Sequence, residues 1–174
     1  MMYIYLVRPR IELEEAYLDF YNEWGKAGEK VNPKVLRQLN PDNFKQMVHA
    51  VLEMSNPEKL PTGRVPETVY WLIDQNNRIL GAVTIRHALT KRLLDTEGHI
   101  GAGIRPSERR KGYATTILKM TLDKMREMGF KQALVTCNED NMGSEKAIVK
   151  NGGIRDHDFI EGHGNIVKRY WINL

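Results

Sequence analysis

One cysteine in 174 residues, Cys137, rules out an intramolecular disulfide framework and makes a reducing cytoplasm the simplest expected home. No apolar run approaches the roughly 20 residues needed to cross a bilayer. The opening stretch Met1–Val7 lacks the charged lead and cleavage site of a signal peptide and reads as a strand. Charge of one sign is also scarce. The 26 Lys and Arg against 22 Asp and Glu leave a net +4, which favours a polyanionic ligand. It is too little to indicate nucleic acid, the more so without a Lys/Arg tract interleaved with aromatics. His157 and His163 fall into no metal-ligand spacing, so no metal is expected. The P-loop pattern is missing, and the dinucleotide fingerprint begun by Gly101 and Gly103 fails at Pro106.

What is present fits one globular domain over residues 1–174, at a length expected to bury about 70% of the unfolded surface. Tyr3–Val7 reads as the first strand, closed by Arg8-Pro9. Ile11–Trp24 has helical periodicity, with Leu13, Tyr17, Phe20, Tyr21 and Trp24 on one face and Glu12, Glu15, Asp19 and Glu23 on another. That acidic stripe reads as a solvated face, or as a lure for a cationic acceptor. After an irregular connection over 25–41, Asp42 or Asn43 caps a second helix to about Met54, with Phe44, Met47, Val48, Val51 and Leu52 inward. Val69–Ile73 and Ile79–Ile85 flank the hairpin signal Asp74–Arg78. A polar connection, Lys91–Glu97, leads into the strand His99–Ile104, and Ile154–Ile160 and Ile166–Ile172 read as a closing hairpin.

The most informative segment is Ile104–Thr115, IRPSERRKGYAT. A strand feeds a basic, glycine-containing loop, and a helix follows with Ala114, Ile117, Leu118, Leu122, Met125 and Met128 at spacings of three and four. The first amides of such a helix have no partner within it, and the macrodipole adds positive charge there, which suits a phosphate. Gly112 admits close approach to the backbone, and Arg109, Arg110 and Lys111 supply formal charge.

Arg109-Arg110-Lys111-Gly112-Tyr113-Ala114 resembles the acetyl-coenzyme A loop of the GNAT superfamily of N-acetyltransferases, Q/R-x-x-G-x-G/A. The strand Gln132–Cys137, then Asn141-Met142-Gly143-Ser144 and a short helix ending at Gly152, resemble the superfamily's later segment, although Gly153 stands where an aromatic is usual. The resemblance covers about Val69 to Gly153. It implies a mixed α/β (α+β) fold in the order β-α-α-β-β-β-α-β-α-β-β, a twisted mixed sheet flanked by helices. It also implies transfer of acetyl from acetyl-coenzyme A to an amine of a small molecule or exposed protein amine, by direct attack in a ternary complex. The amides of Arg110, Lys111, Gly112, Tyr113, Ala114 and Thr115 would hold the pyrophosphate with help from Arg109. Backbone donors at Ala102 and Ile104 would meet the pantetheine arm, and Asn141 and Ser144 match the family's cofactor segment.

Two glycines in the strand, Gly101 and Gly103, mark either a bulge or close backbone approach on the one hand, or a packing requirement on the other. Glu97 and His99, two residues apart, are expected on the same side as candidate bases; each also reads as structural. Arg86 and His87 are candidates for an acidic acceptor group, or simply strand-end charge. Ile148 stands where many family members carry a tyrosine acid, so that role does not carry over. Two further readings remain open: a non-catalytic acyl-coenzyme A-binding or regulatory module on the same fold, and an interaction domain using the Arg109–Lys111 cluster. Neither a nucleic acid nor a membrane is expected as partner, and a homodimer is left open.

Overall fold

A computed structural model describes residues 2–174; Met1, the first residue of the expected Met1–Val7 strand, lies outside them. The first strand, β1 (Ile4–Val7), is followed by a helical turn and α1 (Glu14–Lys26), then by short turns at Lys34–Gln38 and Pro41–Asn43 and by α2 (Phe44–Glu53). Asn43, not Asp42, caps α2: its side chain accepts the Gln46 N–H. Phe44, Met47, Val48 and Val51 are buried as their spacing requires, whereas Leu52 is at the surface.

β2 (Glu67–Asp74) and β3 (Ile79–Arg86) form the hairpin, and β4 (Ile100–Ile104) completes the antiparallel sheet β1-β2-β3-β4. α3 (Tyr113–Glu127) then leads to β5 (Gln132–Asn138) and α4 (Met142–Lys150). The expected strand Ile154–Ile160 is broken into β6 (Ile154–Arg155) and β7 (Phe159–Ile160), both paired with β8 (Ile166–Asn173). β8 lies between β5 and β6 in a second antiparallel sheet.

The sheets bury two cores. α1 and α2 pack with Val69, Trp71 and Ile73 of β2; Ile117, Leu118, Leu122 and Met125 of α3 pack with Leu72, Val83, Val135, Ile148 and Tyr170. The alternation of inward residues along β2 thus feeds one core from each face. Among the described residues no helix is long and apolar enough to cross a membrane.

The sheet is divided between β4 and β5. Backbone joins the two at their start, where His99 N–H donates to Leu134 O at 2.8 Å, and beyond that no ladder pairs them. Gly98 makes the junction possible: it has φ +64°, and a Cβ there would run into the Leu134 carbonyl.

Candidate active site

Two edges meet the opening between the sheets. On β4, Arg105 N–H donates to Leu80 O at 2.9 Å, and the register Gly81↔Ile104 through Ile85↔Ile100 is uninterrupted. Antiparallel alternation therefore turns the Ala102 and Ile104 amides away from β3, to the side where β5 lies. The even register answers the bulge reading of Gly101 and Gly103. Gly103 is needed for packing: a Cβ would sit 2.5 Å from Asn32 Cβ and 2.7 Å from Asn32 O. The close approach is made by the chain's own α1–α2 connection.

Beyond β4 the chain makes one turn, Pro106–Glu108, and enters α3 through Gly112 at φ +87°, with open space where a Cβ would be. Gly112 has no side chain to cap the helix, and the first bond into it is Thr116 N–H to Gly112 O, 3.1 Å. The amides of Tyr113, Ala114 and Thr115 thus have no acceptor within the helix.

The loop's cations are placed differently from the expectation. Arg109 makes a bidentate pair with Glu29, 2.8 and 2.7 Å, and lies over the Trp24 ring, 4.9 Å from its centroid. The hydrogen bonds from Arg109 hold the Glu29 carboxyl below its usual range. Lys111 donates to Glu108 at 2.9 Å, and Glu108 also pairs with Arg78. Arg105, which sequence reasoning passed over, is buried and joined to Asp19 and Glu23 of α1. Arg110, at φ +62°, is exposed. Formal charge at Arg109 and Lys111 is met by carboxylates, which leaves the amides and exposed Arg110 as the features of the loop open to an anion.

Strand alternation does not relate Glu97 to His99, although both lie near Arg86. Glu97 ends a helical turn, Leu93–Glu97, and Gly98 reverses the backbone before β4 begins, so strand alternation does not apply between them. Glu97 is surrounded by Lys34 at 3.4 Å, Arg86 at 3.2 Å and Arg92. Burial works against its charge, but the three cations prevail and hold its carboxyl below the ordinary range. His99 lies edge-on to Phe130 and Trp171. Its Nδ1 accepts the Leu134 N–H at 2.9 Å, so the proton of the neutral ring is on Nε2. Burial, then the charge of Arg86, push the His99 pKa down. Arg86 is buried and its Nη1 donates to Glu97 O and Gly98 O at 3.2 and 3.1 Å. His87 turns elsewhere: its Nε2 meets Thr68 Oγ1 at 2.7 Å, and burial lowers its pKa.

Asn141 caps α4, its side chain accepting the Ser144 N–H at 3.1 Å. Asn151, not singled out in the sequence, ties the two helices by donating to Thr115 O at 3.2 Å and Ala147 O at 2.8 Å. Ile148 is buried in the core beneath α3, and a Cβ at Gly153 would fall 2.5 Å from its side chain. Cys137 is buried, and desolvation raises its thiol pKa. Two open clefts of about 480 and 460 Å³ lie on the α1–α2 connection and share Tyr21 and Arg37. Among the described residues no cluster of His, Cys, Asp or Glu suits a metal.

The chain thus has a break between two sheets, with strand amides along one edge and an uncapped helix at its end. Residues 5–154 match the family described as Acetyltransferase (GNAT) domain, and the chain belongs to that family. Solved structures share the fold. RimL, a ribosomal L7/L12 alpha-N-protein acetyltransferase in complex with coenzyme A, is 12% identical over 98% of this chain and 94% of its own, at a TM-score of 0.72. The microcin C7 self-immunity acetyltransferase MccE, in complex with acetyl-CoA and AMP, is 15% identical over 98% and 92%, at 0.69. The spermidine/spermine N-acetyltransferase SpeG from Vibrio cholerae is 14% identical over 98% and 95%, at 0.62. No curated protein matches the chain in sequence.

Proposed function

We propose that this protein is an N-acetyltransferase of the cytoplasm, acting as one domain. It would move the acetyl group of acetyl-coenzyme A to an amine of a small molecule or an exposed protein amine, by direct attack in a ternary complex. The observation that carries the reading is the open seam beside β4, with the Ala102 and Ile104 amides turned into it and the uncapped first turn of α3 at its end. The residues present fit the donor: unpartnered amides suit its pyrophosphate, and strand amides suit its arm.

When bound, acetyl-coenzyme A supplies a thioester whose carbonyl carbon takes the amine nitrogen while the C–S bond breaks. The chain's residues bind, orient and manage protons. An amide at Ala102 or Ile104 is the candidate donor to the carbonyl oxygen, a role worth about 3–4 kcal/mol where such donors have been removed. Glu97 is the carboxylate proposed to take the amine's proton, directly or through water. Three cations hold it ionised and already meet its charge, so it would act as a weak base on the amine. His99, with Nδ1 engaged, is proposed to hold β5 against β4. A thiol has pKa about 8.5, so the thiolate leaves without a side-chain acid, and buried Ile148 is no obstacle.

Calorimetry with acetyl-coenzyme A tests the donor. Binding in the micromolar range is expected, with a loss of at least about 100-fold in Gly112→Asp, whose carboxylate closes the open space and repels the pyrophosphate. Unchanged affinity in a folded Gly112→Asp protein rejects the donor assignment. A non-catalytic acyl-coenzyme A-binding module is the second reading, favoured by the pairing of Glu97 and the occupied Nδ1 of His99. Turnover with a panel of amines separates the two.

A further inference from the structure

The acidic face of α1 reaches the donor loop at a place that acetyl transfer leaves unassigned. Arg105 is 2% exposed, and each arm of its guanidinium has a partner. Nη1 donates to Ile79 O at 3.1 Å, Nε to Glu23 Oε2 at 2.6 Å, and Nη2 to Asp19 Oδ2 at 2.7 Å. The other oxygen of Glu23 accepts Ser107 N–H at 2.6 Å. One carboxylate of α1 therefore holds both the residue that leaves β4 and the backbone of the turn that follows it. Burial opposes charge on Glu23, but hydrogen bonds from Arg105 and Ser107 and the charge of Arg105 outweigh it, keeping its carboxyl at about 2. The brace is ionised throughout the neutral range.

We propose that Glu23 and Arg105 are positioning residues for the acyl donor, fixing the loop between Ile104 and Gly112 so that the first amides of α3 face a pyrophosphate. The inference rests on the function proposed above. Arg109 and Lys111 are paired with Glu29 and Glu108, and Gly112 offers no side chain. Affinity for the anion then depends on where the amides and exposed Arg110 are placed, and that placement is inherited from the path of the chain after Ile104. Fixed amide dipoles bind an anion well only if little reorganisation is needed when it arrives.

The test compares two donors in the full chain: acetyl-coenzyme A, and acetyl-pantetheine, which keeps the thioester and arm but lacks the pyrophosphate. In Glu23→Ala the ratio of kcat/KM for acetyl-coenzyme A to that for acetyl-pantetheine is expected to fall roughly tenfold, through KM and not kcat. Arg105→Lys keeps the charge but not the fork, and should fall by a similar factor. Glu23→Gln keeps an oxygen for Ser107 N–H and should fall less. If Glu23→Ala does not fold, the other two variants carry the measurement. An unchanged ratio in folded variants overturns the proposal and leaves the function standing. Equal losses for both donors also overturn it, because general loosening of the fold has that signature. A wild-type chain that binds no acetyl-coenzyme A in calorimetry overturns the function itself, and the positioning role with it.

Discussion

The two ends of β4 treat charge in opposite ways. At its C-terminal end, Arg78, Arg105, Arg109 and Lys111 are met by Asp19, Glu23, Glu29 and Glu108, four against four. At its N-terminal end, Lys34, Arg86 and Arg92 crowd around Glu97 alone, three against one. In the first region the ion pairs neutralise one another and serve as a frame, with Arg110 exposed beside them, and the proposed binding falls to the amides and to Arg110. In the second an unbalanced cationic cluster keeps a carboxylate ionised beside the opening. A basic sequence run does not reveal which it is; the count of acids brought to it by the fold does.

That contrast breaks most readily at Arg86. Arg86→Ala removes a buried cation from Glu97 and leaves the Glu97 and Gly98 carbonyls without their donor. It should cost about 3 kcal/mol of unfolding free energy in urea titration. A cost below about 1 kcal/mol, the range of an exposed pair, would place this end of β4 on the same footing as the surface.

A smaller effect comes from His99. Its lowered pKa means that the unfolded chain binds its proton first as pH falls, so the folded state loses stability as pH drops below the ordinary histidine pKa of about 6.5. Protonation at Nδ1 would also break the bond from Leu134 N–H. Denaturant midpoints at pH 7.5 and 5 should separate more for the wild type than for His99→Gln. Equal separation removes His99 as the cause. Glu23 gives the opposite end a different window: with its carboxyl held at about 2, its contribution is complete above the unfolded value of about 4.3 and is lost only as pH falls from there toward 2.

At the other end, Arg109→Ala should weaken acetyl-coenzyme A binding by less than about threefold, because its charge is already met by Glu29. A loss of more than about tenfold in calorimetry would mean that Arg109 leaves Glu29 for the donor, and that the four-against-four frame is not rigid. The smallest effect is expected from Cys137→Ala. The thiol is buried, with its pKa raised, so kcat should stay within about twofold. Mass spectrometry after incubation with acetyl-coenzyme A alone should show no acetylated Cys137, and initial-rate plots should intersect.

Much of the fold is legible in the sequence because its signals are local. The periodicity of Tyr17, Phe20 and Trp24 delivers α1, the residues Asp74–Arg78 deliver the hairpin, and Gly112 marks the entry to α3. The site is less legible because its partners are distant. Glu23 and Arg105 lie 82 residues apart, and nothing in a helical wheel distinguishes Asp19 and Glu23, the partners of Arg105, from Glu12 and Glu15. Alternation carries no information on Glu97 and His99 because it presumes an extended chain, whereas a helical turn and a left-handed glycine intervene. The break of the last hairpin into β6 and β7 is hidden for a similar reason: the intervening Asp156–His157 is polar and engaged with Arg169, which periodicity does not register.

The junction at His99 and Leu134 gives the seam a fixed origin, and the first turn of α3 gives it a fixed end. Between them runs β4, five residues or about 16 Å of extended chain. The seam is therefore a ruler. On the proposed function, a donor anchored by its phosphates at α3 would present its thioester at a distance set by its own arm, measured back toward the end where His99 holds Leu134 through both its backbone N–H and its imidazole.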